Sequence, residues 1–347
     1  MTTFSRENMN EINNYLNDLF VYYEDDDFFN DNLKFFMNLA DEFIDVFEEI
    51  PEKNNIDKLT ASLPFYDIKE RMEIVRKYLA KYGFKGDIDD LIIKGQIVAN
   101  NNNYVIDIDK KHRYRPYLDG LSTSYTNRTP YILIPNTGYI FDSLVMVHEL
   151  SHMRNLDTKN PQTYVRYYFT ETIAYTEEFL LHEDLKRTHK EEMNIYLIYM
   201  FEMFKKISKK FSTSLPFLYT YSVCGDISKE SMLFVKAKMG YYDGELDNFI
   251  QLLNEDNLYN IVDDLDYLIA MLLCFYLLYS YKNTKDIDVI RDLRENLNNI
   301  VYFNDFYNRI GLETLNVKKL VPFIRHYIDE NILPIIDALE EGYSLDF

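Results

Sequence analysis

His148-Glu149-Leu150-Ser151-His152 places two imidazoles four positions apart, with a carboxylate beside the first. On a helix, positions i and i+4 lie one turn apart on the same face, so both rings can reach one ion at about 2.0–2.1 Å. Glu149 projects beside them, placed to take a proton from a water that the metal activates. Val145, Met146, Val147 and Leu150 make the segment apolar, which predicts a buried helix rather than a solvated one. Two buried histidines without partners would leave polar nitrogens unsatisfied at about 1–3 kcal/mol each, and a shared metal resolves this. The chemistry implied is metal-assisted hydrolysis.

Catalytic zinc needs a third protein ligand and an open fourth position. The next carboxylates on a plausible helix are Glu171, Glu177, Glu178 and Glu183. Glu171, Tyr175, Glu178 and His182 follow i, i+4, i+7 and i+11, one stripe down a single face. One acid of such a stripe can bind metal while the other holds a ligand imidazole from behind. The same spacing also suits an ordinary exposed row of acids. His112, His189 and His326 have no supporting spacing and read as surface or satisfied histidines.

The elements that must position these residues are mostly helical. Residues 7–90 read as several amphipathic helices, with Tyr15, Leu16, Leu19 and Phe20, then Leu33 to Phe47, at helical spacing. The acidic run Glu24 to Asp27 reads as a solvated loop. Tyr104 to Asp109 alternates apolar and polar residues and reads as a strand, followed by a loop. Pro130 to Pro135 reads as a second strand, and its two prolines suit the edge of a sheet. Asp142 or Ser143 can cap a helix beginning near Leu144, and Asn160-Pro161 can start another running to about Lys190. Helical periodicity then returns, broken near Ser212 to Pro216, Gly240 to Gly244 and Asn283 to Asp286. No repeat or flexible linker is visible. The chain reads as one catalytic domain over 1–347, with an N-terminal helical part at 1–90 and the zinc-site core and C-terminal helices at 91–347.

The composition has the balance of a folded protein, with 47% hydrophobic and 27% charged residues. The 57 acidic against 37 basic side chains, a net charge of −20, disfavour nucleic acid and anionic membrane surfaces as partners. Cys224 and Cys274 lack metal spacing and read as buried free thiols in a reducing compartment. The opening MTTFSRENMNEINN has no apolar core of a leader, so a cytoplasmic protein is expected. The apolar run Tyr267 to Tyr281 is short for a membrane span and suits a buried core helix.

From about Tyr104 to Leu181 the chain resembles the zinc oligopeptidase family typified by thimet oligopeptidase and oligoendopeptidase F. Members carry a strand, a Lys/Arg/Gly/Ala loop, a PYIL-type strand, HExGH, and a segment like NQPY…E-I-A-S-T-x-N-E-A-L-L. The counterparts here are YVIDIDKKHRYRPYLDG, TPYILIPN, HELSH and NPQTYVRYYFTETIAYTEEFLL. The resemblance implies a mainly α gluzincin-type metallopeptidase, with a small β-sheet beside the active-site helix and two lobes around a cleft. It implies one Zn²⁺ held by His148, His152 and Glu171, with Glu149 as general base and Glu178 supporting from behind, where Tyr175 of the same stripe is also expected. An extended peptide substrate would pair with the strand Tyr131, Ile132, Leu133 and Ile134.

The chain departs from the family in being much shorter, and in carrying Ser151 where members have glycine. The family's C-terminal His and Tyr set, which stabilises the oxyanion, is matched most closely by Asn257 to Leu272. That match keeps Tyr267 and Tyr259 but sets Asn257 in place of the His and Asp263 in place of a Tyr. Gly240-Tyr241-Tyr242 is a rival source of phenols. Losing an oxyanion donor typically removes about 100- to 1000-fold in turnover. Two functions therefore stand: a zinc-dependent endopeptidase or oligopeptidase acting on short peptides, or a zinc-binding but catalytically impaired peptide-binding homologue.

Overall fold

The computed structural model describes residues 63–84, 97–100, 121–123, 131–155, 167–228, 258–297, 303–313 and 317–340, with single positions near 10–17, 88–91, 230–234 and 300. The expected strand at 104–109, the acidic run at 24–27, the helix over 33–47 and the helix start at 160–161 lie outside the described residues. So do His112, Asn257 and 240–244. The described chain is mainly α-helical. It clusters into two compact units, the first formed by 1–50 with 201–268 and the second by 51–200 with 269–347. The stretch 51–90 therefore goes with the residues that carry the histidine motif.

In the second unit, helix α1 (Ile68–Tyr82) is closed at both ends by local chemistry. The Asp67 carboxylate accepts from Glu70 N–H at 2.9 Å, and the Glu70 side chain accepts from Asp67 N–H at 2.8 Å. That reciprocal pair satisfies two donors left open by the first turn. Gly83, at φ +66°, ends the helix in the left-handed conformation. Val75, Tyr78, Leu79 and Tyr82 form its buried face, and Arg71 is buried with them.

Three short strands follow: β1 (Ile97–Asn100), β2 (Leu121–Thr123) and β3 (Tyr131–Pro135). Their order is β1-β3-β2. β3 pairs in parallel with β1, Ile97 opposite Ile132, and antiparallel with β2, Ser122 opposite Ile132. This overturns the expectation that Tyr131, Ile132, Leu133 and Ile134 form an edge strand free to receive a peptide. Both sides of β3 are already paired. The prolines were the misleading cue: Pro135 closes the last position of the strand rather than occupying its middle, and Pro130 lies outside the described residues. β2 arises within what the sequence suggested was a loop. Ile132 and Ile134 are buried, and β3 packs against the next helix.

That helix, α2 (Phe141–Asn155), carries the histidine motif. Helix α3 (Tyr167–Leu185) lies alongside it. α3 stops at Leu185 rather than near Lys190, because the Leu185 carbonyl accepts from both Thr188 N–H at 2.9 Å and His189 N–H at 2.8 Å, forming a turn. Helix α4 (Lys190–Cys224) then runs through Ser212 to Pro216 without the expected break. Proline removes one donor and crowds the carbonyl four residues back, which costs about 3 kcal/mol in an exposed helix. Phe217, Leu218 and Thr220 just beyond it are fully buried, and their packing holds the helix together.

Helix α5 (Leu258–Thr284) ends where the sequence suggested, at a loop holding Lys285 at φ 59°. Its residues from Ile269 to Phe275 are buried on every side, which marks a central helix rather than an amphipathic one. No helix of the described residues is long and apolar enough to cross a membrane. Helices α6 (Asp288–Asn296), α7 (Phe303–Arg309), α8 (Val317–Asn331) and α9 (Leu333–Glu340) complete the second unit. Phe306 of α7 stacks on Phe169 of α3 at 4.0 Å between ring centres. In the first unit, the Asn13 amide donates to the Ile227 carbonyl at 3.0 Å and accepts from its N–H at 2.7 Å. Cys274 is buried as expected, but Cys224 is only half-buried; both are free thiols.

One buried ion pair ties α6 to α3. Arg294 Nε lies 2.6 Å from Glu177 Oε1, and both side chains are sealed from solvent. Burial pushes the Glu177 carboxyl up, while Arg294 and the facing Ser151 hydroxyl of α2 pull it back. Truncating Arg294 to Ala should destabilise the chain by about 3–5 kcal/mol, because it strands a buried carboxyl. Urea midpoints measure this. Glu177→Leu combined with Arg294→Met should recover most of the loss.

Candidate metal centre

The first turn of α2 is pinned from outside the helix. Asp142 is fully buried and pairs with Arg71 of α1, whose guanidinium also binds Asn136. Its carboxylate accepts from Thr137 N–H at 2.9 Å, Thr137 Oγ1 at 2.8 Å and Gly138 N–H at 3.2 Å. Burial pushes the Asp142 carboxyl up to about 6, against the pull of Arg71 and these donors. The helix begins at Phe141, earlier than expected, so Asp142 sits inside the first turn. It braces the preceding turn instead of capping its own helix. Gly138 holds φ +91° there, a conformation L side chains rarely adopt.

Two turns further on, α2 presents His148 and His152 to α3. Their Nε2 atoms lie 3.0 Å apart. Glu171 of α3 closes the group, with Oε2 3.3 Å from His148 Nε2 and Oε1 3.1 Å from His152 Nε2. Two atoms each bound at about 2.0–2.1 Å to one tetrahedral ion stand about 3.3 Å apart, so these separations suit three ligands of one metal. Among the described residues this is the one group of three His, Cys, Asp or Glu side chains close enough to hold an ion.

The protonation of His148 strengthens the fit. Its Nδ1 lies 2.7 Å from Glu178 Oε2, so Nδ1–H donates there. Its Nε2 faces a second ring nitrogen and a carboxylate oxygen, and in the neutral ring that atom would offer a lone pair. The three groups converge on one buried point, where a shared proton or a metal cation would balance the carboxylate's charge. Burial opposes a charged His148, yet the Glu178 and Glu171 carboxylates hold the ring well above the usual histidine range. Burial likewise opposes a charged Glu171, but His152 and His148 hold its carboxyl well below the usual carboxylate range. A proton can meet that demand, and so can a divalent metal on the same atoms. The donor set of two imidazoles and a carboxylate is one that zinc accepts.

The stripe along α3 is interior throughout. Glu171 and Glu178 are 3% exposed and His182 is 0% exposed, which removes the reading of a solvated acidic row. Tyr175 sets its ring edge-on to His148, with centres 4.9 Å apart, and so limits the swing of that imidazole. His182 is not part of that group and meets the Met193 carbonyl through Nε2 at 3.1 Å. Glu149 is buried beside His148 at 5% exposure. Tyr267 belongs to the other unit, half-buried on α5. His326 pairs on the surface with Glu330, and His189 meets Tyr66 edge-on. Sequence reasoning missed Tyr196, whose hydroxyl donates to Glu178 Oε1. It also missed the Glu177–Arg294 pair. Tyr196 lies beyond the turn that ends α3, where no spacing rule connects it to the stripe. Glu177 carried one usable signal, an acid in a helix whose other faces are apolar.

No protein-family model, curated protein or solved structure matches the chain. The functional reading therefore rests on the geometry above.

Burial holds the His182 imidazole down to about 4, against the opposing pull of Glu183. The folded chain thus binds fewer protons than the unfolded one between about pH 4 and 6.5. This group's stabilisation is complete above pH 6.5 and falls away as pH drops through that window, by about 3 kcal/mol in total. His182→Gln keeps a donor for Met193 and should flatten the acid side of a urea-midpoint profile. An unchanged profile would refute the assignment.

Proposed function

We propose that the chain is a zinc-dependent peptidase that hydrolyses short peptides, with one zinc ion held by His148, His152 and Glu171. The observation that carries this reading is the convergence of those three ligand groups at 3.0–3.3 Å, backed by Glu178 on His148 Nδ1. A zinc ion bound there supplies a Lewis acid that polarises the scissile carbonyl and lowers the pKa of the attacking water. Glu149 receives the proton of that water and delivers it to the leaving amine. Glu178 keeps His148 in the tautomer that leaves Nε2 free to bind. Tyr267 is proposed as the oxyanion donor, on the strength of the family resemblance. The two-lobed oligopeptidase architecture, with a cleft that admits short peptides and a small sheet beside the active-site helix, belongs to this same proposal. Free thiols support a reducing, cytoplasmic setting.

A substrate peptide that adds a strand must do so at β1 or β2, since β3 is paired on both sides. The acidic balance favours neutral or basic peptides over anionic ones.

The decisive experiment is cleavage of a quenched fluorescent peptide library by metal-analysed protein. Cleavage should require both the metal and Glu149, so Glu149→Gln and a chelator should each abolish it. One zinc bound per chain with no cleavage would instead make the protein a peptide binder. Zinc at about a hundred times its Kd should also stabilise the fold by about 2.7 kcal/mol. Thermal melts with and without chelator read that shift, and His152→Ala should erase it.

A further inference from the structure

We propose that Tyr196 is a positioning residue for the metal centre, acting through Glu178. The inference rests on His148, His152 and Glu171 being the metal ligands. Tyr196 stands near the start of α4 and is fully buried. Its ring is held between Phe141 of α2 and His182 of α3, with centres 5.8 Å and 5.9 Å away. Its hydroxyl donates to Glu178 Oε1, and the other oxygen of that carboxylate, Oε2, takes the His148 Nδ1 proton.

The terminal torsion of a glutamate is soft and does not fix the plane of its own carboxylate. Two donors, one on each oxygen, do fix it. With Tyr196 in place, Glu178 presents one oxygen to His148 in a set plane, and the imidazole is aimed by that contact. Without the phenol, Glu178 Oε1 loses its buried donor. The carboxylate then turns toward another partner, and the His148 ring turns with it. The chain of influence runs from α4 through α3 to α2, and no atom of Tyr196 needs to reach the metal. Partners at this remove typically change metal affinity by about 10- to 100-fold when they are lost.

Tyr196→Phe keeps the ring and its packing, and the urea midpoint of the metal-free chain checks that it folds. Zinc affinity, read by competition with a chromogenic chelator, should weaken about tenfold. The visible absorption of the Co²⁺-loaded chain should change in band position and intensity, which altered packing elsewhere would not produce. In cleavage assays kcat should fall while KM stays. The variant Glu178→Gln should weaken zinc binding on its own, and adding Tyr196→Phe to it should weaken binding no further. A Tyr196→Met variant, equally unable to donate, repeats the measurement on a different core packing. Unchanged zinc affinity and an unchanged Co²⁺ spectrum in Tyr196→Phe would overturn this inference alone. So would a loss that adds in full to that of Glu178→Gln. A native chain that binds neither zinc nor Co²⁺ would overturn the metal reading itself.

Discussion

The hydrogen bond from His148 Nδ1 to Glu178 at 2.7 Å is the constraint on which the rest of the centre depends. An imidazole has two nitrogens, and fixing the proton on one decides what the other can do. Here the fixed proton points to Glu178, so the other ring nitrogen faces His152 and Glu171. That arrangement holds only while α2 and α3 keep their rotation and spacing. A slip of one residue along α3 would turn Glu178 away by roughly 100° around the helix axis.

Much of the surrounding structure can be read as what keeps that spacing. The start of α2 is held by Asp142, Arg71 and the turn at Thr137-Gly138. The helix packs against β3, where Ile132 and Ile134 are buried. α3 is held by the Phe169–Phe306 stack near its start and by the Glu177–Arg294 pair further along. The interior of the second unit is consequently rich in carboxylates, a poor choice if burial were the only aim. Each acid has a different neighbour: Glu171 faces the two histidines, Glu177 faces Arg294, and Glu178 faces His148 and Tyr196. That division lets adjacent acids on one helix carry separate duties.

The histidine motif and the stripe on α3 were legible because both depend on helical periodicity, which a sequence displays directly. The interior position of Glu178 and His182 was not, since spacing alone suits a solvated row equally well. The strand at Tyr131 was legible from its apolar run, but its place in the sheet was not. Strand order depends on partners distant in the chain, and flanking prolines say only which residues do not donate. Pro216 misled for a related reason: a local breaker is overridden when Phe217 and Leu218 are buried beside it. Tyr196 had no sequence signal at all, because its partner lies across a turn and on another helix.

Ser151 faces the Glu177 carboxylate from within α2. Ser151 is fully buried, so the histidine motif and the Glu177–Arg294 pair are neighbours in the same interior. Glycine at 151 would remove a buried hydroxyl and loosen the helix interior by roughly 1 kcal/mol relative to alanine. An apolar residue at 177 would orphan Arg294 instead. A lineage crossing between a glycine and a serine version of this motif would therefore find the order of its steps restricted, with the paired acid and base settled before the serine becomes replaceable.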